Sequence, residues 1–397
     1  MITNPYKNIG SAIRQNATTH EHICSNTIGH EWHQQRLENL INRGNDIVCG
    51  VNYQPAVPTY PLSGFTHKYK AFKSWDDLTI VEKEFSAYYE DFVKADGQLC
   101  KINDVVQLPN AEHAWFKLPT GKVNGGLHIN LVGSMYGEPA SEIPSGWENA
   151  PSGSNLGQWR IDHPLYTLKE LLQLSKDSAL FGNLFGTLNH PGYTNLSIED
   201  ALMVMKVADE VGDCIHAVEV YNNGDSISQH EHNEYIYDAL LSAGYKLNCV
   251  CVVDWPDSFA ANPYNKEGDN KGTNCLLLPS NYNSLSYANK QLAAIEAFRN
   301  GSYYGTGKSS FALIDANVSG NIITLEFDQK CDEIIFVTDG IKNSIANVQK
   351  VSVALDADCK YARFVAKRGT DFIYTNPFYN DSNQIPMSRK MAILMDW

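Results

Sequence analysis

LNCVCVVD, Leu247–Asp254, is a run of strand-forming residues, apolar almost throughout, that ends on an acid. A strand with one wet face alternates polar with apolar residues, whereas a run like this one belongs to a strand covered on both faces. DIVCGV (46–51), LFGTLNH (184–190) and IHAVEVY (215–221) have the same texture. Between such runs lie helical patterns with start and stop signals. TLKELLQLSKDSALF opens at Thr167 with Glu170 three residues on, and SIEDALMVMKVADEVG opens at Ser197 with Asp200 in the same relation, a capping-box spacing. NKQLAAIEAFRNG closes at Gly301, where a C-terminal glycine is expected. Strands alternating with helices predict an α/β fold with a parallel sheet, as a barrel or a barrel-like wrap.

After about Ser309 the pattern changes. FALIDANVSGNIITLEFDQ, CDEIIFVTDG, QKVSVALDADC and KYARFVAKRGTDFIYTN are alternating runs separated by Gly, Asn and Asp turns, with no helical period. They predict a small β-sandwich-like domain over 311–397, behind a larger domain over 1–310. Two long connections, 60–106 and 135–163, interrupt the first domain. WDDLTIVEKEFSAYYEDFVK (75–94) in the first is a helix candidate, and EPASEIPSGWENAPSGSN (138–155) in the second is a surface excursion.

The chain has 397 residues, 43% hydrophobic and 19% charged, an ordinary globular composition with room for a large core. Its formal net charge of -14 repels nucleic acid and anionic membranes, so the expected partner is a small molecule. An anionic substrate then needs a local cation. The N-terminus lacks an apolar h-region, no apolar run is long enough to span a bilayer, and nine cysteines form no Cys-x-x-Cys pair. These features predict a cytoplasmic protein with reduced thiols; export by a route without a signal peptide is compatible with them too. Oligomeric state is left open.

Chemistry concentrates at strand ends. THEHICSN (19–26) sets His20 and His22 at i and i+2, on one side of an extended segment. Glu112 follows VVQLPNA, His128 stands in GGLHINLVGS, His190 ends GTLNH, Glu219 lies in HAVEVYNNG, and Asp254 ends CVVD. Imidazole and carboxylate groups gathered at strand ends suit one or two divalent ions such as zinc, manganese or iron. His20, His22, Glu112, His128, His190 and Asp254 are the expected ligands, with Glu219 orienting a ligand or a substrate hydroxyl. Each has a plainer reading: His113 in place of Glu112, His128 and His190 as core histidines, Asp254 as a turn residue before Pro256.

These stretches resemble the polymerase and histidinol phosphatase (PHP) domain family. NATTHEH is similar to its first motif, LPNAEHA to the strand that carries a bridging glutamate, and LHINLVGS, NHPG and VVD to later ligand strands. VEVYNNG and AIEAFRNGSYYGTG also resemble family stretches, and KYARFVAKRGTDFIYTNPFY resembles a β appendix found on many relatives. The likeness spans Asn16 to Ser310 and implies a distorted seven-stranded (β/α) barrel, TIM-like in outline, that hydrolyses phosphoesters. DIVCGVNYQ departs from it: Asn52 and Tyr53 stand where the family carries aspartate and histidine ligands, and Pro256 replaces a further histidine. The set that remains also resembles the binuclear site of the amidohydrolase superfamily, so another hydrolysable bond stays open.

The expected reaction is attack by a metal-activated water on a small phosphomonoester or diester. Tyr53, His128 or a metal-bound water can protonate the leaving group, and Asn52, Asn222 and Trp255 can contact substrate. A competing reading is a degenerate barrel that binds carbohydrate through Tyr53, Tyr60, Trp115, Trp159 and Trp255. Three motifs carry nothing. GHEWH (29–33) has its histidines three apart, not the four of a metalloprotease helix; HEH (230–232) precedes a helical run; and GSYYGTGKSS has Ser302 where a phosphate-binding loop needs glycine.

Overall fold

The capping signals act as the sequence predicts. In the computed structural model, the Glu170 carboxylate accepts the Thr167 N–H (2.8 Å) while the Thr167 hydroxyl accepts the Glu170 N–H (3.2 Å). The Ser197 hydroxyl accepts the Asp200 N–H at 3.0 Å. The structure describes residues 1–22, 44–51, 53–54, 106–108, 110, 112–113, 116, 128–134, 166–177, 179–193, 196–223, 232–254, 272–307 and 310–381. The helix candidate at 75–94 and the excursion at 138–155 lie outside these residues.

In chain order the strands are β1 (Ile2–Thr3), β2 (Ile13–Ala17), β3 (Glu21–His22), β4 (Ile47–Val48), β5 (Gly50–Val51), β6 (Tyr53–Gln54), β7 (Val106–Gln107), β8 (Glu112–His113), β9 (Ile129–Val132) and β10 (Phe185–Leu188). They continue as β11 (Ile215–Asn222), β12 (Asn248–Val252), β13 (Thr273–Leu278), β14 (Tyr303–Thr306), β15 (Leu313–Ser319), β16 (Ile322–Thr338), β17 (Ile341–Ala354), β18 (Tyr361–Arg368), β19 (Asp371–Thr375) and β20 (Phe378–Asn380). The helices are α1 (Leu168–Asp177), α2 (Ile198–Val211), α3 (Glu234–Ser242) and α4 (Tyr287–Arg299).

The expected seven-stranded (β/α) barrel, TIM-like in outline, does not form. Strands take 46% and helices 24% of the described residues, in a curled half-barrel sheet and a second sheet. One sheet is six-stranded in the order β12-β11-β10-β9-β8-β6. Its β10–β11 and β11–β12 pairs are parallel, but β9 runs antiparallel to both β8 and β10. The large sheet has twelve strands, in which β13 lies antiparallel between β2 and β14. The C-terminal strands join this same sheet, since β14 pairs with β19 and β1 with β20. β16 and β17 turn through Asp339 and Gly340, both at positive φ (46° and 81°), as a two-residue hairpin loop requires.

The physical reason for the difference is what an apolar run reports. It records burial on both faces and says nothing of strand direction or of what the cover is. Helices α1, α2 and α3 share one core with β10 to β12 through Leu171, Leu172, Val204, Val218, Leu240 and Cys249. On its other side β12 meets β13, β14 and β19, which are strands.

The seam between the sheets is made by side chains. β12 ends the six-stranded order, so the groups on its outer edge have no strand ladder. Asn274 of β13, fully buried, accepts the Cys251 N–H (3.0 Å) and donates to the carbonyls of Cys251 (3.1 Å) and Ala17 (3.4 Å). Asn376 accepts the Cys249 N–H (2.8 Å) and donates to the carbonyls of Gly301 (3.0 Å) and Tyr303 (2.8 Å). Two asparagines thus satisfy the edge that a further strand would otherwise cover. Close approach is needed here as well: a Cβ on Gly305 of β14 would lie 2.4 Å from the Cys251 sulfur. Further along, buried Arg363 of β18 binds Asp238 (2.7 and 2.8 Å) and Glu234 (2.7 Å) on α3.

Candidate metal centre

The topology brings one rim of each sheet together. His20 lies between β2 and β3, at the end of a strand in the large sheet. His190 and Asp254 lie just past β10 and β12, at the C-terminal rim of the parallel pairs. His128 immediately precedes β9; because β9 runs antiparallel to β10, its start falls at that same rim. Glu112 is in β8, opposite Asn130. Glu219 is the fifth residue of β11, inside the strand rather than beyond it.

These side chains converge in a buried cluster. The Oε1 atom of Glu112 lies 2.5 Å from His128 Nδ1, 3.2 Å from His190 Nε2 and 3.3 Å from His20 Nε2. His20 Nε2 is also 3.3 Å from Asp254 Oδ1, while its Nδ1 lies 2.6 Å from Glu219 Oε1. The other Glu219 oxygen accepts the His190 N–H at 2.7 Å and the Asn222 amide at 3.1 Å. That amide also reaches Asp254 Oδ2 at 3.1 Å. Two triads result, His20, His190 and Asp254, and Glu112, His128 and His190, with ligand atoms within 4.8 Å of one another in each.

Burial and charge oppose each other here. Burial alone would lower the pKa of His20, but Asp254, Glu219 and Glu112 outweigh it and raise it well above the ordinary value. His190 is likewise carried to about 9 against burial, by its bond to Glu112 and by the charges of Asp254 and Glu219. For His128 burial prevails over Glu112 and the pKa falls. Glu112 goes well below its ordinary value despite burial, because His128 and His20 face it. Three carboxylates, Glu112, Glu219 and Asp254, therefore share a site almost closed to water, and the site demands positive charge.

The donor set fits a divalent cation. Two donors about 2.0–2.2 Å from one ion lie roughly 3.0–3.5 Å apart. The 3.2 and 3.3 Å separations that involve His20, His190, Glu112 and Asp254 match that spacing. His190 Nδ1 is buried without a hydrogen-bond partner among the described residues, a lone pair or proton with no protein group to satisfy it.

The structure thus gathers His20, Glu112, His128, His190, Asp254 and Glu219, and places Asn222 between two of the carboxylates. For His22 and Tyr53 only the backbone is described; β3 pairs with β5, and Tyr53 stands opposite Glu112. Asn52 and Trp255 lie outside the described residues, as do Tyr60, Trp115 and Trp159. Three supporting residues escape a reading by motif. Asn110 and Asn130 each donate to the Thr19 carbonyl at 2.9 Å, which ties the His20 segment to β8 and β9. Asn189 accepts from Thr187 (2.8 Å) and the Asn130 N–H (3.3 Å) beside His190. Their signal is an asparagine inside an apolar run, since a buried amide must be bonded.

Among the described residues no helix is long and apolar enough to cross a membrane. Of the nine cysteines, Cys49, Cys214, Cys249, Cys251, Cys275, Cys331 and Cys359 are free thiols. Cys24 and Cys100 lie outside the described residues. No family model matches the chain, and no curated protein matches it. Among solved structures, the crystal structure of PsfC from Pseudomonas syringae PB-5123 is similar at 12% identity and a TM-score of 0.35, covering 72% of this chain and 98% of that one. A likeness of that size carries no argument about fold or chemistry.

Proposed function

We propose that this chain is a metal-dependent hydrolase that holds one or two divalent ions, zinc, manganese or iron, among His20, Glu112, His128, His190 and Asp254, and that it acts on small phosphomonoesters or diesters. The observation that carries the reading is the 3.2 and 3.3 Å spacing of donor atoms from four separate segments around one buried, acidic point. When bound, a divalent ion supplies Lewis acidity, which yields a hydroxide-like nucleophile near neutral pH and polarises the group attacked.

The chain's own residues do the rest. Glu219 accepts from His20 Nδ1, leaving the Nε2 lone pair facing the cluster. Glu112 holds the proton of His128 Nδ1 and fixes that ring. Burial excludes water from all but the open side, where His128 retains 10% side-chain exposure and Tyr193, 60% exposed, stands edge-on to His190. Tyr53, whose backbone pairs with Glu112, is our candidate for protonating the leaving alkoxide. With three acids and, among the described residues, no lysine or arginine in the cluster, a phosphoester needs a cation there to approach. This dependence yields the test. Hydrolysis of p-nitrophenyl phosphate or its diester should stop with a chelator and return with manganese or zinc, and His20→Ala should abolish it. Turnover that survives both treatments would remove the reading.

A further inference from the structure

Glu219 and Asn222 stand three residues apart on β11 and face groups carried by three other segments. Glu219 takes His20 Nδ1 on one oxygen (2.6 Å) and the His190 N–H on the other (2.7 Å). One amide nitrogen, Asn222 Nδ2, reaches both Glu219 Oε2 and Asp254 Oδ2 at 3.1 Å. All five residues are buried.

The backbone gives a second, independent sign. His190 and Asp254 both have positive φ, 26° and 63°, although neither is glycine. Such conformations persist only where the surroundings enforce them, and they gather at functional sites. The restraints are visible: the His190 N–H is held by Glu219, the Asp254 N–H by the His20 carbonyl (3.0 Å), and the Asp254 carboxylate by Asn222.

We propose that Glu219 and Asn222 form a positioning pair: Glu219 selects the tautomer of His20, and the Asn222 amide joins two carboxylates so that His190 and Asp254 keep their left-handed conformations with their donor atoms on the cation. The inference rests on the metal-centre reading above and deepens it. A carboxylate on Nδ1 keeps the proton there and leaves Nε2 to bind, the arrangement by which supporting carboxylates raise the basicity of histidine ligands. An amide is the side chain of this size that can place two N–H bonds between two acids; aspartate at 222 would add a third charge and no donor. Asn222, expected from the sequence to bind substrate, thereby becomes a residue that acts through Asp254 and Glu219.

The two roles separate experimentally. In Glu219→Gln the new amide keeps the outline of the side chain and turns an N–H toward His20 Nδ1, which drives the ring proton to Nε2. Asn222→Ala removes the bridge and leaves Glu219 in place. Zinc affinity by chelator competition and the visible spectrum of the cobalt-loaded protein are measured for both variants and for the wild type. We expect a loss of about 10–100-fold in zinc affinity and an altered cobalt spectrum in each variant. Should Glu219→Gln fail to fold, Asn222→Ala decides alone. Wild-type affinity and spectrum in the variants, with only KM raised, would make the pair a substrate contact and overturn the inference. A wild-type protein that binds neither zinc nor cobalt would defeat the metal-centre reading, and this inference with it.

Discussion

Replacing Asn274 with alanine should open the seam between the two sheets. The side chain is fully buried and makes three hydrogen bonds, two of them to the backbone of Cys251 on the outer edge of β12. Removing it strands the Cys251 N–H, and a buried donor left without an acceptor costs about 1–3 kcal/mol. The carbonyls of Cys251 and Ala17 lose a donor each, and the missing amide leaves a small void, so the total is roughly 2–4 kcal/mol. Urea unfolding followed by tryptophan fluorescence reads this directly. With a denaturant slope of about 3 kcal/mol per molar, the midpoint should fall by roughly 1 M. Asn321→Ala is the control, because it removes one peripheral bond to the Leu355 carbonyl (3.2 Å) and should cost under about 1 kcal/mol. If Asn274→Ala moved the midpoint no further than that control, β12 would not depend on a side chain for its edge, and the account of how the six-stranded sheet is closed would be wrong.

Arg363→Met should cost about 3–5 kcal/mol, since it takes the guanidinium from Asp238 and leaves Glu234 with only Lys342 and the Tyr374 hydroxyl. Burial would raise the Glu234 pKa, but Arg363 and Lys342 bring it to about 2, below its ordinary 4.5. The stability Glu234 contributes is therefore complete above 4.5 and lost as pH falls toward 2, so the gap between wild type and variant should narrow in urea melts at pH 3. Gly186→Ala would set a Cβ 2.1 Å from the Cys214 carbonyl oxygen, and overpacking against backbone should destabilise by roughly 1–3 kcal/mol or prevent soluble expression. His216 accepts the Gly186 N–H on Nδ1 (3.2 Å), and burial lowers its pKa against the pull of Asp213. The unfolded chain then gains the proton first, so this contribution is present above about 6.5 and declines as pH falls below it; His216→Gln should flatten that part of a thermal-midpoint profile. Zinc or manganese at 100 times Kd should stabilise the wild type by about 2.7 kcal/mol in a thermal shift, with no more than two ions per chain by elemental analysis.

Much of the local structure was legible from residue order. The capping boxes at Thr167 and Ser197, the glycine closing α4 and the Asp339–Gly340 turn depend on contacts within a few residues of each other. The candidate cluster was legible for a related reason: chemistry-bearing residues stood at the ends of apolar runs, and the side chains of His20, Glu112, His128, His190 and Asp254 come together, while that of the sixth expected ligand, His22, lies outside what the structure describes. Glu219 also meets them, from inside its strand. Strand direction was not legible. The β9 strand reads like its parallel neighbours, because an apolar run buried on both faces carries no mark of which way the chain passes or whether helix or sheet covers it.

What the sequence determined alone is thus the set of elements, their buried faces and the inventory of donors at their ends, all of which follow from short-range bonding and hydropathy. Only the tertiary structure decided that the sheet stops at β12, that Asn274 and Asn376 close its edge from a second sheet, and that His20 reaches the cluster from that second sheet. Those outcomes depend on hydrogen bonds between residues as far apart as Cys249 and Asn376, whose pairing is fixed by packing and leaves no periodic trace in the chain.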